Sequence, residues 1–97
     1  MTMSDYKIER EDSADRGRYV IDLAAGVEAE MTYKKADGCI IVDHTGVPKE
    51  YEGRGIALQL VKAAIADARA EGFKITPVCP YVVVQFDRHP DWADLRA

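Results

Sequence analysis

From residue 18 onward the chain alternates apolar and polar positions. Tyr19, Ile21 and Leu23 take one side of a predicted strand, with Arg18 and Asp22 on the other. Val27, Ala29, Met31 and Tyr33 then alternate with Glu28, Glu30, Thr32 and Lys34. This period puts one strand face on a core and the other in water, as in antiparallel sheets. Upstream, Tyr6 and Ile8 share a side against Lys7 and Glu9, predicting a short first strand. The polar run Glu11–Gly17 reads as a loop. Asp37-Gly38 is a hairpin signal. The segment from Cys39 is apolar on both faces and so central in the sheet. Its period sets Ile40, Val42 and His44 on one face and Cys39, Ile41 and Asp43 on the other. The short connections make a meander the simplest strand order.

The period changes after Val47. Ala57, Leu60, Val61, Ala64, Ile65 and Ala68 form a broad apolar stripe, and Gln59, Lys62, Ala66 and Arg69 a mostly polar one. This predicts a helix of about 18 residues facing the sheet, with Gly72 as its C-cap. Phe73–Val78 reads as a fifth strand, which Pro77 confines to an edge or splayed position. Pro80 suits a first helical turn and predicts a short second helix despite the valines that follow. The segment 91–97 adds a final turn. A helix between the fourth and fifth strands lets those two run parallel. The expected class is α+β, as one domain over residues 1–97.

Composition narrows the partners. A net charge of −4 lacks the basic face that a reader of nucleic-acid phosphates needs. No apolar run approaches the roughly 20 residues of a membrane-spanning helix. The acidic N-terminus has no signal-peptide stretch. Cys39 and Cys79 form no CxxC pair, and with two histidines they lack the spacing of a zinc site. These features predict a cytoplasmic protein with reduced thiols and no metal.

The candidate chemistry begins at "EYEGRGIA" (residues 50–57). Each interior glycine costs a helix about 1 kcal/mol relative to alanine, so Gly53 and Gly55 at a helix start need a reason. Either they only permit a tight turn, or they leave the first-turn amides bare for an anion, with Arg54 as a nearby charge. A Walker loop is excluded because no Lys-Ser or Lys-Thr pair follows. The dinucleotide fingerprint fails because Leu58 stands at its third glycine and Ile75 where an acidic residue belongs.

This turn resembles the acyl-CoA signature Gln/Arg-x-x-Gly-x-Gly/Ala of the GNAT superfamily of N-acetyltransferases. "VDHTGV", "RGIALQLV" and the tail "CPYVVVQFDRHPDW" are further similar to its very small single-domain family, of roughly 90–110 residues. The resemblance implies a GNAT-like fold: a four-stranded antiparallel meander, a CoA-binding helix, a splayed fifth strand and a short second helix. It also implies acetyl-CoA as cosubstrate, its pyrophosphate over the amides of Glu52, Gly53, Arg54, Gly55, Ile56 and Ala57. The pantetheine arm would pair with β-strand backbone from Thr45 to Val47. The reaction implied is attack of a primary amine on the acetyl thioester.

Two positions depart from the family pattern. Glu50 replaces the Gln/Arg of the signature, and Phe86 stands where the family's general-acid tyrosine falls. Cys79, before a helix N-terminus where the dipole lowers a thiol pKa, could accept the acetyl group, protonate the CoA thiolate or line the thioester pocket. It could equally be a small buried residue. His44, at the end of the fourth strand, could take a proton from the amine or simply be satisfied there. Asp43 faces away by strict alternation, to cap a turn, unless a bulge rotates the strand. Tyr81 is turned about 200° from Cys79 by a helix and reads as packing, as do Cys39 and Trp92; His89 ends the helix. Glu9, Glu28 and Glu30 read as a solvated face, with a weaker reading as an attractor of cations.

Larger superfamily members continue with two more strands for which no room is left here. An open acceptor site is therefore expected, suiting a lysine or N-terminus on a protein better than an enclosed metabolite. The alternative is a CoA-binding module or sensor without catalysis, and a third reading is a structural domain with no ligand.

Overall fold

The computed structural model describes residues 6–97. Strands β1 (Ile8–Asp12), β2 (Arg16–Ala24), β3 (Val27–Ala36) and β4 (Cys39–Gly46) lead through a 3-10 turn (Lys49–Tyr51) into α1 (Ile56–Glu71). Then come β5 (Lys74–Pro77), α2 (Pro80–Arg88) and a closing 3-10 stretch (Pro90–Leu95). The sheet order is β1-β2-β3-β4-β5, antiparallel through β4, with β5 parallel to β4 at the edge. The meander, the α+β class and both helices match the period of the chain.

The alternating apolar residues supply one sheet face of the core. Tyr19, Ile21, Met31, Tyr33, Ile40 and Val42 form one buried cluster with Leu60, Val61 and Ala64 of α1 and with Val82 and Phe86 of α2. The polar positions of β2 and β3 point away from it, where Arg18 binds Glu11, Glu28 and Glu30 at 2.8, 3.0 and 2.9 Å. Lys7 lies 3.6 Å from Glu9. That pairing is the behaviour of a solvated face.

The polar run after Ile8 differs from expectation. Glu11 and Asp12 belong to β1 and Arg16 and Gly17 to β2, which leaves a turn of only Ser13–Asp15, closed by the Ser13 N–H on the Arg16 carbonyl at 2.8 Å. Charged residues sustain these strands because they pair across them, Glu11 standing opposite Arg18. Tyr6 lies outside β1 but packs on the core.

Two buried tyrosines carry their hydroxyls to one edge of the core. The Tyr19 hydroxyl donates to Asp67 at 2.8 Å, and that of Tyr33 donates to Asp12. Burial, together with the Asp12 bond, pushes the Tyr33 phenol up to about 12. Arg10 joins them, donating to the Tyr33 hydroxyl at 3.2 Å, to Asp67 at 3.1 Å and to Glu71 at 2.7 Å. The aromatic bodies are buried while every hydroxyl is satisfied. The network clips β1 to the C-terminal half of α1, opposite the end where α1 begins.

Candidate functional site

A bulge in β4 decides what faces the site. Tyr33 pairs with Val42, but the next residue back, Thr32, pairs with His44, so Asp43 is the extra residue. A bulge inserts one residue and reverses the face of everything beyond it. Asp43 accepts a 2.7 Å bond from the Thr32 hydroxyl, on the polar face. His44 joins it there, its Nε2 4.0 Å from Glu30. The expected placement of His44 beside Val42 is therefore corrected. Thr45 is the residue that turns inward, paired with the buried Met31.

Beyond the bulge β4 and β5 part. Their register runs from Cys39–Lys74 to Val42–Pro77, where the Val42 carbonyl accepts from both Val78 and Cys79 at 3.0 Å. β4 runs on to Gly46 while the other chain turns into α2. The parting leaves a cleft of about 370 Å³ between the end of β4, the start of α1 and the start of α2. Every residue expected at the cofactor except Arg54 lines it: Thr45, Val47, Glu52, Gly53, Gly55, Ile56 and Ala57. Arg54 instead lies over the Tyr51 ring, 5.2 Å from its centroid. Glu50 is exposed outside the cleft.

At the turn, Gly53 and Gly55 have φ of 82° and 76°. That left-handed region alone accounts for glycine. Yet a Cβ on either would meet nothing within 4 Å, so the space above both is open. No side chain caps α1, which leaves its first amides without a side-chain partner. The positive φ values meet the tight-turn reading, and the open space leaves room for the bare-amide one.

Behind the cleft wall, next to Thr45, stands Cys79, the N-cap of α2, which is 6% exposed and does not itself line the cleft. Its Sγ lies 3.4 Å from the Thr45 hydroxyl, and the Val82 N–H bonds the Cys79 carbonyl at 3.0 Å. Burial pushes the thiol up, but hydrogen bonding, first to the Thr45 hydroxyl, outweighs it and holds the pKa below the ordinary value.

Two cleft residues were not expected from sequence, Tyr51 and Tyr81. The signal for Tyr51 is an aromatic standing alone in the polar run 48–54. Tyr81 packs partly against the core, as predicted, but also lines the cleft. Phe86 is buried edge-on to Trp92, with ring centroids 5.6 Å apart, and brings no hydroxyl to the cleft. His89 ends α2, stacks on Trp92 at 3.9 Å and holds the Gln85 carbonyl through Nδ1 at 2.7 Å. Cys39 lies near Thr76, at the far end of β4.

Among the described residues no group of three or more His, Cys, Asp or Glu is arranged to hold a metal, and no helix is long and apolar enough to cross a membrane.

A meander, a glycine turn opening a helix and a fifth strand that parts from the fourth define an acetyltransferase-type architecture. The chain belongs to the GCN5-related N-acetyltransferase family, whose sequence model matches residues 18–95. It is similar to the solution structure of a GCN5-like protein from Staphylococcus aureus proposed to be an N-acetyltransferase. Identity to that protein is 29% and the TM-score 0.71, over 98% of this chain and 91% of the other. No protein of curated function matches the chain.

Proposed function

We propose that the protein binds acetyl-CoA in the cleft and transfers the acetyl group through Cys79 to a primary amine, such as an exposed lysine or N-terminus of a protein. The observation that carries this reading is the meeting of the glycine turn at Glu52–Ala57 and the end of β4 in one cleft, with the Cys79 thiol behind its wall, 3.4 Å from the Thr45 hydroxyl. The amides suit the diphosphate, and the backbone from Thr45 to Val47 suits the pantetheine arm. The Cys79 thiolate attacks the thioester carbonyl, the bond to the CoA sulfur breaks, and the amine then takes the acetyl group from Cys79. His44, on the polar face beside Glu30, lies outside this route.

The alternative, acetyl-CoA binding without transfer, is favoured by the buried ring of Phe86 and by Glu50. Titration with acetyl-CoA separates both from a ligand-free structural domain. Amides of Glu52–Ala57 shift in NMR spectra under either binding reading, and an acetyl adduct on Cys79 by mass spectrometry supports transfer. Unmoved amides would end both.

Glycine variants test the turn itself. Gly38 has φ 69° and, like Gly55, open space where a Cβ would stand. Alanine at either position costs about 1–2 kcal/mol for a left-handed backbone. Only Gly55→Ala sets a methyl over the cleft amides, so it alone is expected to weaken acetyl-CoA binding, by about tenfold for a lost hydrogen bond of typical strength. Equal loss in G38A and G55A would show that the turn acts through stability alone.

A further inference from the structure

A second cavity, of about 490 Å³, adjoins the cleft and is lined by Val27, Pro48, Glu50, Tyr51 and Arg54. Tyr51 lines both spaces and packs partly against the core, so it stands as the partition between them. Arg54 lines this second cavity and not the cleft, and its guanidinium lies 5.2 Å from the centroid of the Tyr51 ring. Ring and guanidinium together offer a planar group a surface to stack on. Val27 and Pro48 add apolar contact, and Glu50 brings a carboxylate, which accepts hydrogen bonds. A flat aromatic ring that carries an amino donor matches this set.

Resting on the proposed binding of acetyl-CoA, we infer that the second cavity holds the adenine of the cofactor. The purine stacks on the Arg54 guanidinium, which the Tyr51 ring backs, and its exocyclic amine donates to Glu50. The glycine turn joins the two spaces. Gly53 and Gly55 line the cleft, Arg54 between them lines the cavity, and open space stands where a Cβ on either glycine would be. A cofactor whose diphosphate lies over the turn thus passes across it with no side chain in the way at either glycine. The assignment also gives Glu50 a function. Where the signature's Gln or Arg carries donors suited to phosphate, glutamate carries an acceptor suited to an amine.

The test reads dissociation constants by calorimetry, so that neither acceptor nor turnover enters. Acetyl-CoA is compared with its deaminated form, in which hypoxanthine sets a carbonyl oxygen where adenine has its amine. Wild type is expected to bind acetyl-CoA about tenfold more tightly, the scale of one hydrogen bond lost to a facing pair of acceptors. In Glu50→Gln the ratio falls to about one, because an amide both donates and accepts. Glu50 is exposed, and an unchanged melting temperature in E50Q checks that the fold is kept. Nuclear Overhauser contacts are expected from the adenine ring protons to the Arg54 side chain. A wild-type ratio near one, a ratio that E50Q leaves unchanged, or bound acetyl-CoA without those contacts overturns the adenine assignment and leaves the proposed function standing. Failure of wild type to bind acetyl-CoA overturns both.

Discussion

Replacing Cys79 by alanine is expected to lower acetyl transfer by about 10³-fold, on the scale of losing a nucleophile, while acetyl-CoA still binds. Binding survives because the amides of Glu52–Ala57 and the end of β4 do not depend on the sulfur. The thiol is nearly buried, which by itself disfavours a thiolate. Hydrogen bonding, first to the Thr45 hydroxyl at 3.4 Å, reverses that balance. Alkylation by iodoacetamide against pH therefore has its midpoint below that of an ordinary cysteine. Thr45→Val, which removes the hydroxyl and keeps the shape, moves the midpoint up.

The sign carries into stability. A thiol pKa lowered on folding adds stability above the unfolded thiol's value, about 8.5, and that increment disappears as pH falls through the folded pKa. This contribution of the thiol, absent from C79A, is therefore fullest at alkaline pH and fades as pH falls. Full transfer activity in C79A, with acetyl-CoA bound, would exclude the covalent route and leave direct attack by the amine.

Leu60→Ala is expected to cost about 2–5 kcal/mol, the usual range for deleting a fully buried leucine. Leu60 is 0% exposed and lies on the α1 stripe that meets Met31, Tyr33 and Val42 in the core cluster. The loss is a large part of a typical domain stability of about 5–15 kcal/mol. At about 4–8 °C per kcal/mol for a chain of this size, the melting temperature falls by roughly 8–40 °C. Acetyl-CoA restores part of this, since a ligand bound only to the folded state stabilises it by mass action. Denaturant titration measures the loss directly, and a cost below 1 kcal/mol would mean that α1 is not packed as described. The site depends on this packing because α1 fixes the direction of the amides at its first turn.

Local patterns carried much of the architecture. Alternation in β2 and β3, Asp37-Gly38, the α1 stripe, Gly72 and Pro80 each act within a few residues, and each produced the element expected of it. The first turn of the meander was misjudged because charged residues read as loop when taken singly. Only the partner strand shows Glu11 opposite Arg18.

Sequence alone determined the strand order, the two helices and the glycine turn, because hydrophobic period, turn chemistry and helix capping are properties of neighbouring residues. Tertiary structure alone decided which groups share the cleft. The bulge at Asp43 arises from how β4 pairs with β3, and nothing in the alternation of β4 itself marks it. That one extra residue sends His44 to the polar face and Thr45 to Cys79. Tyr81 reaches the cleft for a similar reason: rotation about the α2 axis follows from sequence, but the direction of that axis follows from packing on β5 and the core.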